Sequence, residues 1–529
     1  MKRITALFLC LGLIAALFSG CGGEEKAYVP TGDALLMEGE EPPEKNTNDT
    51  PQEFSMVYYP KRDLNPLRSH DHTNRALFSL IYQGLFAVDR NYEAVPILCK
   101  NYRISPDNKT WTFYLEEGVT FSDGTPLTID DVLASLEAAR TKTDEFTSYY
   151  SGRFTHIREI TEAEDGGISI NLNTAFENLA LLLDIPIVKA SEIYADKPLG
   201  TGPYILSESL AGSQLRRNMN WWCGDGYCNV VNAESINLVH AVSDTQVRDQ
   251  FEFEDVGIVC ANPCSDTYAD YRCDYELWDC ENGVMLYLGF NINYAQDEFF
   301  ENADFRKAFT YAIDRQELVE EYYNGFAQVA TLPASPRCPW YSKALAANYE
   351  YDPMRFINLL SKTKLPKEPL RLIVNKDDSV RLKVADHIAA TLNEYGLPVE
   401  VKAYNTATYS AVYYAGNFDF YLGQVRLSPN MDLSSFFGPQ GSLHFNGTDD
   451  AATYSLCKDA LANSGNYYNL HQRVMEDGRI IPLLFHSFNI YAERGLVTDL
   501  TPSRDNVFFY PLNKTMESAQ LETIYDEEA

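Results

Sequence analysis

Two histidines flank an aspartate at His70-Asp71-His72. Neutral imidazoles bind divalent ions, so this triplet could hold a metal or a metal chelate. It equally suits a solvated loop bordering a cleft. Arg426 carries a planar fork of donors that could grip a ligand carboxylate through two bonds, or could form a surface ion pair on an acidic protein. Trp221-Trp222 could stack on a flat ligand or pack inside a domain. Six of the 11 cysteines crowd between Cys223 and Cys280. Local disulfides such as Cys223–Cys228 and Cys273–Cys280 are expected, with buried thiols or a metal site as alternatives, because disulfides persist outside the cell.

Catalytic signatures are missing. The chain has no G-x-S-x-G elbow, no H-E-x-x-H, no Walker lysine and no G-x-G-x-x-G. Acids are too numerous for a catalytic pair to stand out, so neither an enzyme nor a cofactor is expected; an anchored extracellular hydrolase is the alternative. With 43 Lys+Arg against 75 Asp+Glu the net charge is -32. Phosphate binding needs clustered cations, so nucleic acid and anionic lipid headgroups are excluded as partners. A chain of 529 residues, 45% apolar, can bury several cores. Aromatics at 13% exclude general disorder.

One long uncharged apolar run exists, from Ile4 to Phe18 behind the basic Met1-Lys2-Arg3. It reads as a secretory signal, or as an uncleaved anchor. Cys21 after Ser19-Gly20 resembles the lipobox of bacterial lipoproteins, which implies cleavage before Cys21 and lipidation of it. Residues 1–20 are then the signal. Residues 21–53, polar and rich in Pro and Glu, read as a flexible tether. The remainder would lie outside the cytoplasmic membrane, held to its outer face or in a periplasm.

The elements that must position these residues follow from periodicity. Phe54 to Tyr59 reads as a strand. Asn74 to Leu85 reads as a helix capped by Gly84. Trp111 to Leu115 and Ile168 to Leu172 alternate as strands, and Val119 with Phe121 as a further short one. Thr128 opens a helix, with Asp131 as its acidic partner. Phe305 to Ile313 and Asp314 to Tyr322 form a helical pair stopped at Gly325. Leu370–Val374, Val384–Tyr395 and Val399–Ala403 read as strand, helix and strand, hence a parallel pair, and Phe418–Leu422 as another strand. In such α/β lobes ligands lie beyond the carboxyl ends of strands, here Asn375-Lys376-Asp377 and Gly423-Gln424-Val425-Arg426.

Several segments together resemble the bacterial extracellular solute-binding proteins of family 5, which feed ABC transporters. They are Leu80–Leu85 with Val95-Pro96, Trp111–Leu115 with Gly118–Val132, Gly200–Tyr204, Gly289–Asn291 and Phe305–Arg315, in the family's order. The resemblance implies an α/β, two-lobed fold of the periplasmic-binding-protein type II, with an extra α+β domain beside the first lobe. Lobe I would comprise 54–85, 196–290 and 483–529, the extra domain 86–195 and lobe II 291–482, with crossings near Asn291 and Ile480. It implies a monomeric receptor for peptides or a related small solute, partnered by ABC permease subunits and held to the membrane by its lipid. A metal-chelate receptor of the nickel type is the alternative. The implied ligand-contacting residues are His70, Asp71, His72, Asn291, Gly423, Gln424, Val425 and Arg426. Peptide binders of the family carry an amine-pairing Asp where Leu427 stands, with Asp432 displaced nearby. The expected ligand therefore carries an anionic group that Arg426 meets, or is a peptide gripped mainly through backbone pairing and a carboxylate.

Overall fold

The computed structural model describes residues 53–510, save 144–145, 211, 225–232, 265–270, 293–297, 440, 444–448 and 498–499, together with 524–525. The signal, Cys21, the tether up to residue 52 and Cys228 lie outside the described residues.

In chain order the first strands are β1 (Phe54–Tyr58), β2 (Phe86–Val88), β3 (Ala94–Pro96), β4 (Cys99–Ile104), β5 (Thr110–Leu115), β6 (Ile157–Glu162), β7 (Ile168–Leu172), β8 (Tyr204–Ser209) and β9 (Gly212–Arg217). They are followed by β10 (Ser235–His240), β11 (Ile258–Ala261), β12 (Tyr275–Phe290), β13 (Ala327–Val329), β14 (Leu370–Asn375), β15 (Val399–Tyr404), β16 (Phe420–Arg426), β17 (Ile480–Glu493) and β18 (Ile524–Tyr525). One sheet runs β15-β14-β16-β12-β17-β11-β1-β10-β9-β8, with β13 also on β17. A second, five-stranded sheet has the order β18-β4-β5-β7-β6. All of it but β18 comes from residues 86–195, where the helix Ile129–Arg140 also lies.

The sheet divides along two long strands. β12 has 16 residues and β17 has 14, against a usual length of about 5–6. They pair antiparallel with each other. At one end β17 pairs with β11; at the other β12 pairs with β16. The β12–β17 register breaks between Glu281 and Met285, where Gly283 takes φ +75. Such bulges bend and twist a strand. This break is N-terminal to the crossing expected near Asn291, and its β17 side, at Phe485 to Ser487, follows the one expected near Ile480.

The strand–helix–strand reading from Leu370 to Ala403 holds: β14 and β15 pair parallel across the helix Ser379–Glu394. Thr128 and Asp131 form a capping box on the helix Ile129–Arg140. Asp314 caps the helix Arg315–Tyr323 by accepting the Gln316 and Glu317 amides. That helix stops through Asn324 at φ +51, just ahead of Gly325. Two expectations are corrected. The helix His72–Ile81 ends before Gly84. Gly84 is there because a Cβ would stand 2.8 Å from the Phe86 carbonyl oxygen and 2.9 Å from that of Ile185. Val119 and Phe121 form no strand, only a bridge from Thr120 to Pro126.

The cysteine expectation also changes. Cys273 and Cys280 are unbridged. Cys280 lies five extended residues into β12 from Tyr275, roughly 16 Å at ~3.3 Å each, and the two residues back to Cys273 cannot close that gap to the ~7 Å between Cα atoms that a disulfide needs. The Cys280 thiol is fully buried and points at the Arg504 carbonyl oxygen, 3.3 Å away. Cys273 points at the Phe251 carbonyl oxygen instead.

Candidate ligand-binding site

The C-terminal segment after β17 places two charges at the tip of a tight turn. Ser503 and Asn506 exchange backbone hydrogen bonds of 3.0 and 2.8 Å, leaving Arg504 and Asp505 between them. The turn is pinned on both sides. The Arg504 amide donates to the Glu281 carbonyl at 3.1 Å, and the Ser503 hydroxyl donates to the Asp89 carbonyl at 2.8 Å. Asp505 receives the Arg426 guanidinium at 2.6 Å, that of Arg75 at 3.2 Å, and the Tyr149 hydroxyl at 3.1 Å. Arg75 sits on the buried face of the helix His72–Ile81, and Arg426 ends β16. The turn thus ties three distant segments together.

Tyr149 is the second organiser. The guanidinium carbons of Arg75 and Arg426 lie 3.7 and 4.6 Å from its ring centroid, and His70 meets it edge-on at 5.2 Å. Cations over an aromatic face are attracted by its quadrupole. Burial alone would raise the Asp505 carboxyl, yet Arg426, Arg75 and Arg504 hold it far below the usual range. Burial draws the Arg426 guanidinium down to about 10, so it stays charged at neutral pH.

A cavity of about 220 Å³ opens beside this network. It is lined by residues from 149–155 and from 425–443, together with Arg504. Asp432, which also lines it, receives His156 Nε2 at 3.1 Å. Burial raises the Asp432 carboxyl, but the His156 contact prevails and lowers it. Arg153, likewise a lining residue, is spent on Asp184 and on the Leu182 carbonyl. A smaller cavity, about 90 Å³, shares Tyr150 and Arg504 with the larger.

The residues singled out from sequence fall in different places. Val425 and Arg426 line the larger cavity, and His70 reaches it through Tyr149. Asp71 caps the helix, accepting the Asn74 amide at 2.8 Å, and pairs with Arg62. His72 packs edge-on against Phe488 at 3.9 Å. Burial pushes its pKa down to about 4, so it is neutral. Gly423 makes room for aromatic rings: a Cβ there would lie 2.7 Å from the Tyr287 ring. Gln424 is exposed on β16. Asn291 lines neither cavity; its amide donates to the Gly416 and Phe418 carbonyls at 2.9 and 2.8 Å. Leu427 is buried, and its carbonyl accepts from Arg504. Trp221 packs into the core, with its indole NH on the Thr201 carbonyl. Among the described residues no three His, Cys, Asp or Glu stand close enough to share a metal.

Sequence reasoning missed Arg75, Tyr149, Arg504 and Asp505. Two signals were present. Arg75 interrupts the apolar face of its helix, and Arg504-Asp505 stands in a polar turn just before the apolar run Val507 to Tyr510.

The family model for bacterial extracellular solute-binding proteins, family 5 Middle, matches residues 93–444. The chain belongs to the bacterial extracellular solute-binding proteins of family 5. It is therefore a transport receptor and not an enzyme. Two curated relatives come from Escherichia coli. The glutathione-binding protein GsiB of strain 536 is 25% identical over 367 residues, covering 64% of this chain and 67% of that protein. The nickel-binding periplasmic protein of strain K12 is 26% identical over 378 residues, covering 64% and 69%. Among solved structures, the ABC transporter substrate-binding protein CtaP of Listeria monocytogenes superposes with a TM-score of 0.69 at 16% identity, covering 84% of this chain and 94% of that one. That likeness supports the two-lobed α/β fold of family 5.

Proposed function

We propose that this family 5 protein is the lipid-anchored, extracytoplasmic receptor of an ABC importer. It captures a short peptide or related small solute between its lobes and hands it to a permease. The observation that carries this reading is the cavity between residues 149–155 and 425–443, backed by the Arg75–Asp505–Arg426 network. In this reading residues 54–85, 196–290 and 483–529 form lobe I, 86–195 the extra domain and 291–482 lobe II. The chain crosses between lobes on β12 and β17, and Cys21 carries the lipid.

Two features favour a peptide-like solute. β14 pairs with β16 only at Phe420 and Tyr421, so Gln424 to Arg426 extend past it. An extended ligand could add to that backbone as a strand does. At about 220 Å³ the cavity is smaller than the 300–1,000 Å³ that takes drug-sized ligands, which favours a short ligand over a long peptide. The relatives named for glutathione and nickel keep both a small peptide and a metal chelate in view.

The test is to purify the protein without refolding and identify any co-purified solute by native mass spectrometry. Deleting the gene should then abolish uptake of that solute, while purified protein returns it chemically unchanged. No bound solute together with unimpaired uptake would sink the reading.

A further inference from the structure

The larger cavity opens to solvent, because Gly152, Thr155 and Ser442 of its lining are exposed. What a solute meets there depends on which lining groups are both uncommitted and reachable. Two of the three lining arginines offer nothing. Arg153 is spent on Asp184 and the Leu182 carbonyl. Arg504 Nη1 is lodged against Gly283, where a Cβ would come within 2.3 Å of it, so its unbonded donors are enclosed by protein. Arg426 differs. Its Nε donates to the Asn282 carbonyl at 3.0 Å and its Nη2 to Asp505 at 2.6 Å. Its Nη1 has no partner among the described residues and is not sealed from solvent; the side chain keeps 22% of its surface exposed.

Two lining hydroxyls are free as well. Ser435 and Ser442 make no side-chain hydrogen bond among the described residues; Ser435 is half-buried with its hydroxyl reachable, and Ser442 is exposed. The segment 441–443 is folded onto Ser435. The Leu443 amide donates to the Ser435 carbonyl at 3.0 Å, and a Cβ at Gly441 would stand 2.1 Å from that oxygen. That packing brings the two serines together. The open donors are therefore a guanidinium N–H and two hydroxyls, a set that suits an oxyanion. No equivalent set among the described residues receives an ammonium there. Asp432 is the carboxylate of that lining, and it already accepts His156 Nε2 at 3.1 Å and the Ser434 amide at 2.9 Å. A cation entering the cavity also meets three lining arginines, and like charges repel strongly in a partly buried site.

We propose that the solute seats a carboxylate on Arg426 Nη1 and the Ser435 and Ser442 hydroxyls, so that a peptide enters this cavity C-terminus first and needs no free amine. The class recognised is short peptides with a free C-terminal carboxylate, amine-blocked ones included. The backbone edge from Gln424 to Arg426 runs into the same cavity, since Val425 and Arg426 line it. This rests on the receptor reading and names its substrate class.

Calorimetry on trialanine, N-acetyl-trialanine and trialanine amide separates the two ends. The acetylated peptide should bind as well as the free one. The amide should bind roughly 10- to 150-fold more weakly, the cost of a charge-assisted contact. Arg426→Lys, which keeps the charge without the fork, should narrow the gap between acid and amide. Ser435→Ala and Ser442→Ala should narrow it by about 2- to 12-fold apiece. Melting curves check that the variants fold, and the three titrations of the parent protein decide the orientation without them. Equal binding of acid and amide, loss of binding on acetylation, or no binding of either acid at millimolar concentration would overturn the proposal. A co-purified solute that lacks a carboxylate would also overturn it, while leaving the receptor reading intact.

Discussion

Asp505→Asn is the most informative single change. It keeps the volume and removes the charge that two guanidiniums share. At separations of 2.6 and 3.2 Å the two attractions are worth about 6 and 5 kcal/mol at an effective dielectric of ~20. Desolvating three ions costs several kcal/mol each, so the intact cluster contributes little net stability. The variant differs, because Arg75 and Arg426 would remain without their carboxylate. Removing one partner of a buried pair costs about 3–5 kcal/mol, and that is the expected loss by chemical denaturation. Arg426→Met should cost less, since Arg75 still pairs with Asp505. The double variant should be more stable than the sum of the two losses predicts, because it strands one guanidinium and not two. Added chloride or sulfate should recover part of the Asp505→Asn loss. A loss below about 1 kcal/mol, or strict additivity in the double variant, would refute the idea that Asp505 holds the site together.

Gly423→Ala should destabilise the protein by about 1–3 kcal/mol, since a Cβ would press on the Tyr287 and Tyr421 rings; denaturation midpoints check this. His471 is fully buried with neither ring nitrogen bonded, and burial pushes its pKa down to about 3. The unfolded chain therefore binds more protons between about pH 6.5 and 3, so stability falls as pH drops through that window. His471→Leu should flatten the slope by up to about 1.4 kcal/mol per pH unit, read from denaturation at pH 7 and 4.5. Cys21→Ala should abolish palmitate labelling and release the protein from membranes; equal labelling of parent and variant would refute lipidation there.

Much of the fold was legible because its signals are local. Alternation gave β5 and β7, and the order strand, helix, strand gave the parallel β14–β15 pair. The site was less legible because it is assembled from afar. Arg75, Tyr149, Arg426 and Asp505 span most of the chain and meet only through tertiary pairing. His70-Asp71-His72 drew attention by its spacing, yet each of the three turns to a different neighbour: a tyrosine ring, a helix amide and a phenylalanine. For Arg426 the sequence leaves open a grip on a ligand carboxylate or an ion pair, and it does not show which carboxylate it would pair with. Its partner lies 79 residues on, in a turn with no periodic pattern. Gly84 looked like a helix stop because glycine serves both turns and close backbone approach, and sequence does not separate the two.

The β12–β17 pair has a mechanical consequence. β12 and β17, the two longest strands of the sheet, are hydrogen-bonded to one another, so they form one ribbon and not two separate struts. A two-stranded ribbon flexes readily across its thin direction. It resists sliding of one strand past the other, which would break its whole ladder of bonds at once. The ladder is interrupted around Gly283 and again between Leu286 and Tyr287, so compliance is concentrated over that stretch and the stiffer paired lengths on either side act as lever arms. Swinging those arms would displace the Arg504 guanidinium seated against Gly283, so elastic deformation of the ribbon and occupancy of that seat are coupled in a single coordinate.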